Sequence, residues 1–587
     1  MSYRVLVETV LGKPRTERLW TANAYSLLPI TPQSLDIGGV FPALLYAFRW
    51  GHRRGKGQFE KIFGQSATIA GVTEVLLNGE TTDFCGFDGE TGAAILGDLL
   101  LAFCLENKKH ALGQHIPVLR VYPTHYMASW IDLPKEASNL RRVPEFLCSL
   151  LTHDDIEDLS MLHFPLAQGF ISNPLLATFG RSMRIRGQHS SDVHSDWFQE
   201  ETAEDLGIDE LLTIRLAQRC KTPPDKARKN QKNPEGSEIP QQTAVASRAA
   251  EILREDLAVF IRGYGGIIPR QAFLQMLESC VCLGLTHLLF STLAVLNHWK
   301  HHGRIPDMPA QGTLPLFLDC SQGQDKDLRG LSEQVMQENQ QQYETLPLLM
   351  MVLRVLEDYA TTDRKLRDEA SQLQANQSAF LTFLTDLLRE EHPQSYRLLD
   401  TIDEHCVDLA ETLEKDDDQP TLVTHLRNTN LHPALRLAEA LVELMGDTQQ
   451  RANYNKVLEG ALMSDAPNGL AIKRRASQTR HGRRRMMDVR AIVPTIPMLD
   501  FLVHRHLKTD DAQQDRTLSL PAFIDILRQR YGLYIADAPP HHAVAQELLL
   551  RNKAWLERTL RDMGLLVGVN DAESMKRLKP KYRKEVA

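Results

Sequence analysis

The stretch Lys473-Arg-Arg-Ala-Ser-Gln-Thr-Arg-His-Gly-Arg-Arg-Arg-Met-Met-Asp-Val-Arg490 carries eight Lys/Arg against one Asp, a local net of +7. The whole chain of 587 residues carries -8, which leaves -15 for everything else. A block this basic in an acidic chain seeks a polyanion unless acidic segments of the same chain cover it. Its conformation decides how that charge is presented. Ser477, Thr479 and Gly482 argue against a helix, so the stretch reads as a loop that orders on a duplex.

Size and composition bound the rest. The length suits two to four domains, and 43% hydrophobic with 24% charged residues is ordinary for a soluble globular protein. The eight cysteines (Cys85, Cys104, Cys148, Cys220, Cys280, Cys282, Cys320 and Cys406) are scattered, without a Cys-x-x-Cys pair. That pattern implies reduced thiols in a cytosolic protein, and Cys280 with Cys282 lacks the second ligand pair a zinc site needs. The N-terminus, Met1 to Glu8, has no signal-peptide shape. The most apolar run, Val281 to Leu296, is short for a bilayer and contains Gly284, Thr286, His287, Ser291 and Thr292, so a buried helix is expected there. A cytoplasmic location follows as the expectation, with no membrane partner and no cofactor.

Working outward, residues 1–218 read as a mixed α/β domain. Tyr3 to Val10 alternates like a strand. Val40, Leu44, Leu45 and Phe48 have helical spacing, ending at Gly51 with Arg53, Arg54 and Lys56 beyond, where cations complement the helix dipole. Ala93 to Leu105 predicts a helix, Ile116 to Tyr122 and Met127 to Leu133 predict strands, and Asn139 to Leu151 predicts a helix with Pro144 in its first turn. Residues 219–243 are polar and rich in proline and charge, which marks a flexible linker. Residues 244–465 read as a helical domain: Leu253, Leu257, Phe260, Ile261 and Tyr264 share a helical face, and Arg270 to Trp299 predicts a long buried helix broken near Gly284. Leu346 to Tyr359, Asp363 to Glu391, Ser395 to Lys415 and Pro433 to Met445 continue the helices.

Residues 466–494 form the basic segment, and 495–587 resemble a winged helix. Ser519 caps a helix faced by Leu520, Phe523, Ile524, Leu527 and Tyr531. A second helical stretch reaches Leu550, and Asn552 turns the chain into a third helix ending before Gly564. Leu565 to Val569 is then a strand, with a wing from Asn570. Arg551, Arg558 and Arg561 on the third helix, with Lys576 and Arg577 beyond it, extend the candidate duplex contacts of Lys473, Arg474, Arg475, Arg480, Arg483, Arg484, Arg485 and Arg490. The fold class expected is therefore mainly α, with a small α+β N-terminal part and a winged-helix-like end.

Chemistry-bearing candidates are sparse. Leu314 to Glu333 reads as an apolar strand to Asp319, a polar loop with Gly323, and a helix capped by Asp325. Asp319 and Cys320 lack a paired His or second carboxylate, so a structural turn is the favoured reading. His189-Ser-Ser-Asp-Val-His-Ser-Asp could hold a divalent ion, but a polar surface loop accounts for it, as it does for Thr152-His-Asp-Asp. His298, His301 and His302 sit where a helix terminus favours cations. Leu316-Phe-Leu-Asp-Cys-Ser-Gln-Gly-Gln-Asp-Lys-Asp-Leu-Arg-Gly-Leu-Ser-Glu-Gln334, together with the basic block and the winged-helix-like end, resembles proteins encoded in bacterial anti-phage defence clusters, including methylation-associated ones. That resemblance implies a member of a multi-protein complex acting on DNA. The expectation is a non-enzymatic subunit that binds double-stranded DNA or scaffolds its partners. The alternatives are a metal-dependent nuclease using His189, His194 or Asp319, and a protein-binding regulator.

Overall fold

The computed structural model describes residues 2–21, 28–50, 60, 63–66, 68–78, 86–103, 105–107, 118–121, 142–152, 164, 173–180, 244–374, 377–415, 419–480, 483–509, 512, 514–568 and 576–583. The N-terminal part holds helices α1 (Tyr3–Leu11), α2 (Lys13–Leu19), α3 (Val40–Trp50), α4 (Ile69–Leu77), α5 (Gly89–Phe103), α6 (Val143–Leu151) and α7 (Pro174–Gly180). An antiparallel strand pair, β1 (Leu105–Asn107) and β2 (Val118–Val121), follows α5. The strand expected at Tyr3 to Val10 is helical instead. Tyr3, Leu6, Val7 and Val10 also recur at helical spacing, and burial of Leu6, Val7 and Leu11 decides in favour of the helix. The strand expected at Met127 to Leu133, the cations near Arg53 and the linker 219–243 lie outside the described residues.

The middle of the chain is all helical apart from one short strand. Helix α8 (Ser247–Tyr264) packs along α9 (Arg270–His302), whose 33 residues span about 50 Å at 1.5 Å per residue. By length and composition α9 could cross a membrane, but 94% of its most apolar window is buried inside the fold. The break expected at Gly284 is absent. A Cβ there would lie 2.3 Å from Leu253 Cδ1, so the glycine lets α8 approach closely without interrupting the helix. Strand β3 (Leu316–Phe317) leads to α10 (Lys326–Tyr343), followed by α11 (Leu346–Thr362), α12 (Arg367–Leu373), α13 (Gln377–Leu388), α14 (Ser395–Lys415), α15 (Pro420–Leu426), α16 (Pro433–Leu444) and α17 (Asp447–Leu462). Arg354 of α11 donates to the carbonyls of Arg18, Leu19 and Thr21, which satisfies the open end of α2, and Arg15 and Arg18 both pair with Asp358.

The last part runs β4 (Ala471–Arg480), β5 (Arg483–Ile492), α18 (Ile496–Leu507), α19 (Leu520–Tyr531), β6 (Leu533–Tyr534), α20 (Gln546–Asp562), β7 (Leu566–Val567) and β8 (Arg577–Leu578). Ser519 caps α19 as its sequence predicts, accepting from the Ala522 amide. The helix break expected before Asn552 does not occur: α20 is continuous, and Asn552 is fully buried within it. Its side-chain amide donates to the Leu318 and Ile535 carbonyls and accepts from the Cys320 amide. A polar residue that would suit a turn is held in a helix because three buried backbone groups need it. Strand β6 lies parallel to β3, β7 pairs antiparallel with β8, and Ser519 bridges Arg577 beside that pair.

A smaller hydrophobic cluster gathers Phe317, Leu328, Val335 and Leu549, while the main core of the described residues runs from Leu6 to Leu578. At its centre a charged cluster joins α18 and α19 to α8. Asp256 accepts from Arg505 at 2.9 Å, Arg530 at 2.7 Å and the Tyr531 hydroxyl at 2.7 Å, and His506 Nε2 lies 2.9 Å from that hydroxyl. Burial pushes the Asp256 carboxyl up, but the two guanidiniums outweigh it and hold it below the usual carboxylate range. The described part of the chain is thus mainly α, with its few strands gathered at residues 105–121, 316–318 and beyond 470.

Candidate nucleic-acid interface

The basic stretch is a β-hairpin, not a loop. β4 and β5 pair without interruption from Ala471 opposite Ile492 to Arg480 opposite Arg483. Ten residues per strand give a ribbon about 33 Å long. Its inner end is apolar and buried: Leu470, Ala471, Val489, Ala491, Ile492 and Val493 are all buried, and Leu470, Ala471 and Ile492 join the main core. Beyond Lys473 the described positions are mostly exposed. The usual strand signal, apolar alternating with polar, is missing because residues 473–485 contain no large apolar side chain. The signal that was present is subtler. Apolar residues flank the block symmetrically, and two residues, His481 and Gly482, separate two runs of equal length.

The Leu314 to Glu333 region is the socket for this hairpin. Leu318 bridges Ile492 in parallel, and the Asp319 amide donates to the Ile492 carbonyl at 2.8 Å. The Ser332 hydroxyl of α10 donates to the Phe317 carbonyl and accepts from the Ile492 amide, both at 2.8 Å. The Asp319 carboxylate accepts from the Ser321 amide (2.9 Å), the Ser321 hydroxyl (2.6 Å) and the Gly323 amide (3.0 Å). Gly323 sits at φ +80°, and a Cβ there would lie 2.4 Å from Ile472 Cδ1 of β4. Asp325 then caps α10 through the Asp327 and Leu328 amides. The region is the strand-to-helix turn its sequence suggests.

Asp319 is fully buried, and burial raises its carboxyl above the usual range despite those hydrogen bonds. Cys320 is buried as well, and desolvation pushes its thiol well up, away from the reactive thiolate. Neither group is disposed as a nucleophile or a metal ligand. Among the described residues no group of three or more His, Cys, Asp or Glu side chains is arranged to hold a metal. His189, Asp192, His194 and Asp196 lie outside the described residues, as do His153, Asp154 and Asp155.

The cations of the hairpin fall into two sets. Near the socket they meet carboxylates. Arg474 makes a bidentate pair with Glu333 of α10 at 2.5 Å, and Arg490 pairs with Glu459 of α17. Lys473 lies 3.1 Å from Asp488 and 3.9 Å from Glu459, and Arg475 lies 3.7 Å from Asp488. The hydrogen bond from Lys473, with the charges of Arg475 and Arg490, holds the Asp488 carboxyl below its ordinary value. Farther out the situation changes. Residues 476–487 contain four arginines and no Asp or Glu, so the outer ribbon cannot neutralise itself. The register sets Arg480 opposite Arg483, a like-charge juxtaposition that is unfavourable without a counter-anion.

The C-terminal cations are largely compensated by their neighbours. Arg551 spans Asp325 and Asp327 at the start of α10 (2.9 and 2.8 Å). Arg561 and Lys576 share Glu557 at 2.8 and 2.7 Å. Burial pushes the Glu557 carboxyl up, yet those two hydrogen bonds prevail and hold it down. Arg558 lies 3.8 Å from Asp562 and 5.8 Å from the Trp555 ring centroid, while Arg577 stands exposed on β8.

Fold and site together define a mainly helical protein that carries a cationic two-stranded arm on a buried polar socket. The chain belongs to the family of methylation-associated defense system protein MAD7, whose model matches residues 25–582. No curated protein and no solved structure matches it.

Proposed function

We propose that this chain is a non-enzymatic DNA-binding and scaffolding subunit of its defence system, working in the cytoplasm with other protein subunits. The outer half of the hairpin, through Arg480, Arg483, Arg484 and Arg485, grips duplex phosphates. The observation that carries this is the run of four arginines, Arg480, Arg483, Arg484 and Arg485, in a stretch (476–487) without Asp or Glu, on a ribbon fixed to the core at one end. Neutralising phosphates releases condensed counterions, which yields strong, salt-sensitive and sequence-independent affinity. A two-stranded ribbon also has the cross-section that a B-DNA major groove admits. Lys473, Arg474 and Arg490 serve this reading as anchors, because their charge is already spent on Asp488, Glu333 and Glu459.

In this reading the segment from α18 to β8 is a winged-helix-like module. Its support is the order of three helices followed by an antiparallel pair, with the bridge from Ser519 to Arg577. Since Arg551, Arg558, Arg561 and Lys576 are matched by carboxylates, this module contributes less to phosphate binding than the hairpin and more to holding subunits together.

The test is a gel-shift salt titration of the intact chain against the Arg483→Glu/Arg484→Glu/Arg485→Glu variant. Losing three phosphate contacts should flatten the log–log salt slope by about 3 and weaken low-salt binding by ~100-fold or more. A variant that binds like the parent, or a parent that retains no duplex at low salt, overturns the proposal.

A further inference from the structure

Residues 576–583 run as a strap across the last module. Burial alternates along it: Leu578 and Pro580 are buried and Tyr582 is half-buried, while Arg577, Lys579, Lys581 and Arg583 are exposed. The strap is held along its length. The Leu520 amide donates to the Lys576 carbonyl at 3.0 Å, and the Leu578 and Lys579 amides donate to the Leu518 and Leu565 carbonyls at 2.8 Å. The chain bends at Lys581, whose amide donates to His504 Nε2 at 3.0 Å and whose ammonium lies 2.7 Å from the Asp500 carboxylate. Tyr582 lies beside the same imidazole, 5.4 Å between ring centroids. Most other cations of this module meet carboxylates: Lys508 with Asp515, Arg528 with Asp525 and Asp537, and Arg530 with Glu255 and Asp256, as Arg551, Arg558, Arg561 and Lys576 do. Among the described residues, Arg577, Lys579 and Arg583 form no such pair. A lone exposed cation is explained by hydration. Three unmatched ones at alternating positions of a fixed strap, in a chain of net charge -8, are a surface feature that calls for an anion.

We propose that Arg577, Lys579 and Arg583 form a second phosphate track, which takes the sugar-phosphate backbone of duplex DNA separately from the hairpin. The proposal rests on the reading of this chain as a duplex-binding subunit, and it adds a site that lies neither on the hairpin nor on α20. Charge complementarity selects the occupant. Exposed positions along the strap follow one another within about 7 Å of chain, so the track offers charge in small repeated steps, as a phosphate backbone does. A protein partner would need an apolar centre to its interface, and a single exposed Val567 opposite Arg577 is too little for one. The start of α19 adds to the potential. Ser519, which caps that helix, bridges Arg577, so the positive end of the helix dipole lies beside the strap. The helix that a helix-turn-helix module would lay in a groove is engaged elsewhere: Leu549 of α20 packs with Phe317, Leu328 and Val335, and Arg551 spans Asp325 and Asp327. Because the strap backbone is already ordered by its hydrogen bonds, phosphate binding there need not meet the cost of fixing a loose tail.

The experiment uses the full chain, a fluorescently labelled duplex and anisotropy titrations across a salt series, with the urea midpoint of each variant as the measure of folding. Arg577→Gln/Lys579→Gln/Arg583→Gln should flatten the log–log salt slope by about 3 and weaken low-salt binding ~10-fold or more. Its urea midpoint should match the parent, since no ion pair is removed. Lys581→Gln should do the reverse, lowering the midpoint by freeing Asp500 while leaving the slope alone. Arg577→Lys/Arg583→Lys keeps the charge and should keep the parent slope. A triple-glutamine variant with the parent slope and affinity overturns the track, assigns these cations to an acidic protein partner, and leaves the hairpin reading intact. If that variant loses affinity while Arg483→Glu/Arg484→Glu/Arg485→Glu binds like the parent, the track stands and the hairpin reading falls. A parent that binds no duplex at low salt overturns both proposals together.

Discussion

Arg505 and Arg530 converge on the buried Asp256 carboxylate, whereas Arg480, Arg483, Arg484 and Arg485 belong to a stretch of the hairpin without Asp or Glu. The first pair shares Asp256 with the Tyr531 hydroxyl, at distances of 2.7–2.9 Å. The second set occupies residues 476–487, where Asp and Glu are absent. The side chain is the same in both places, and its task follows from the anions within reach. Inside, a guanidinium is tolerable only because it is paired, and the pairing ties α18 and α19 to α8. Outside, the stretch itself offers no carboxylate to these guanidiniums, which under the proposed function meet a polyanion instead. The base of the hairpin lies between these cases, since Arg474 and Arg490 are partly exposed yet bound to Glu333 and Glu459.

The contrast breaks most visibly at Asp256. Asp256→Ala takes this anion from the buried Arg505, while the partly buried Arg530 keeps Glu255 at 2.7 Å, and removing one partner of a buried pair costs about 3–5 kcal/mol. Urea unfolding followed by circular dichroism should show it as a lower midpoint. A midpoint within error of the parent would mean the cluster does not hold the helices together.

Acid should sharpen the same point. His287 of α9 is buried beside the cluster, its ring 6.2 Å from that of Tyr531, and desolvation lowers its pKa to about 4. The charges of Asp256, Arg530 and Arg248 act on it in opposing directions. Unfolded, the imidazole titrates near its ordinary 6.5 and takes up a proton first. The stability held by a neutral His287 is therefore complete above that value and is lost as the pH falls towards 4, by about 3 kcal/mol. His287→Gln should lose that much less stability than the parent across this window. Equal acid sensitivity of the two proteins would show that the buried cluster does not depend on a neutral ring at this position.

The smallest effect is expected at the anchor. Arg474→Ala removes a half-exposed pair and should cost about 1 kcal/mol or less. Because Arg474 is already held by Glu333, the salt slope of duplex binding should stay at the parent value. A flatter slope would move Arg474 from the anchoring set to the phosphate-binding set.

Much of the helical fold was legible from residue spacing. The helix at Ser395–Lys415, the cap at Ser519, the helix from Val40 and the turn from Asp319 to Asp325 all stand where pattern and capping chemistry place them. The misreadings share a cause. Tyr3 to Leu11, Gly284 and Asn552 each fit two local conformations, and a distant partner chose between them: the interior for α1, Leu253 for Gly284, and the Leu318, Cys320 and Ile535 backbone for Asn552. Of the candidate site, the charge was legible and its shape was not. Residues 473–485 hold no large apolar side chain and so leave no alternation to read, and the hairpin was hidden until its inner end was seen in the core.

Composition and local pattern were enough to establish a mainly helical chain with positive charge concentrated at residues 473–490, because helix periodicity and net charge are properties of neighbouring residues. Which arginines are spent on the chain's own carboxylates was settled by long-range packing. Asp256 and Arg505 are 249 positions apart, and Glu333 and Arg474 are 141 apart. A carboxylate that distant neutralises a guanidinium only once the chain has folded to bring them within 3 Å.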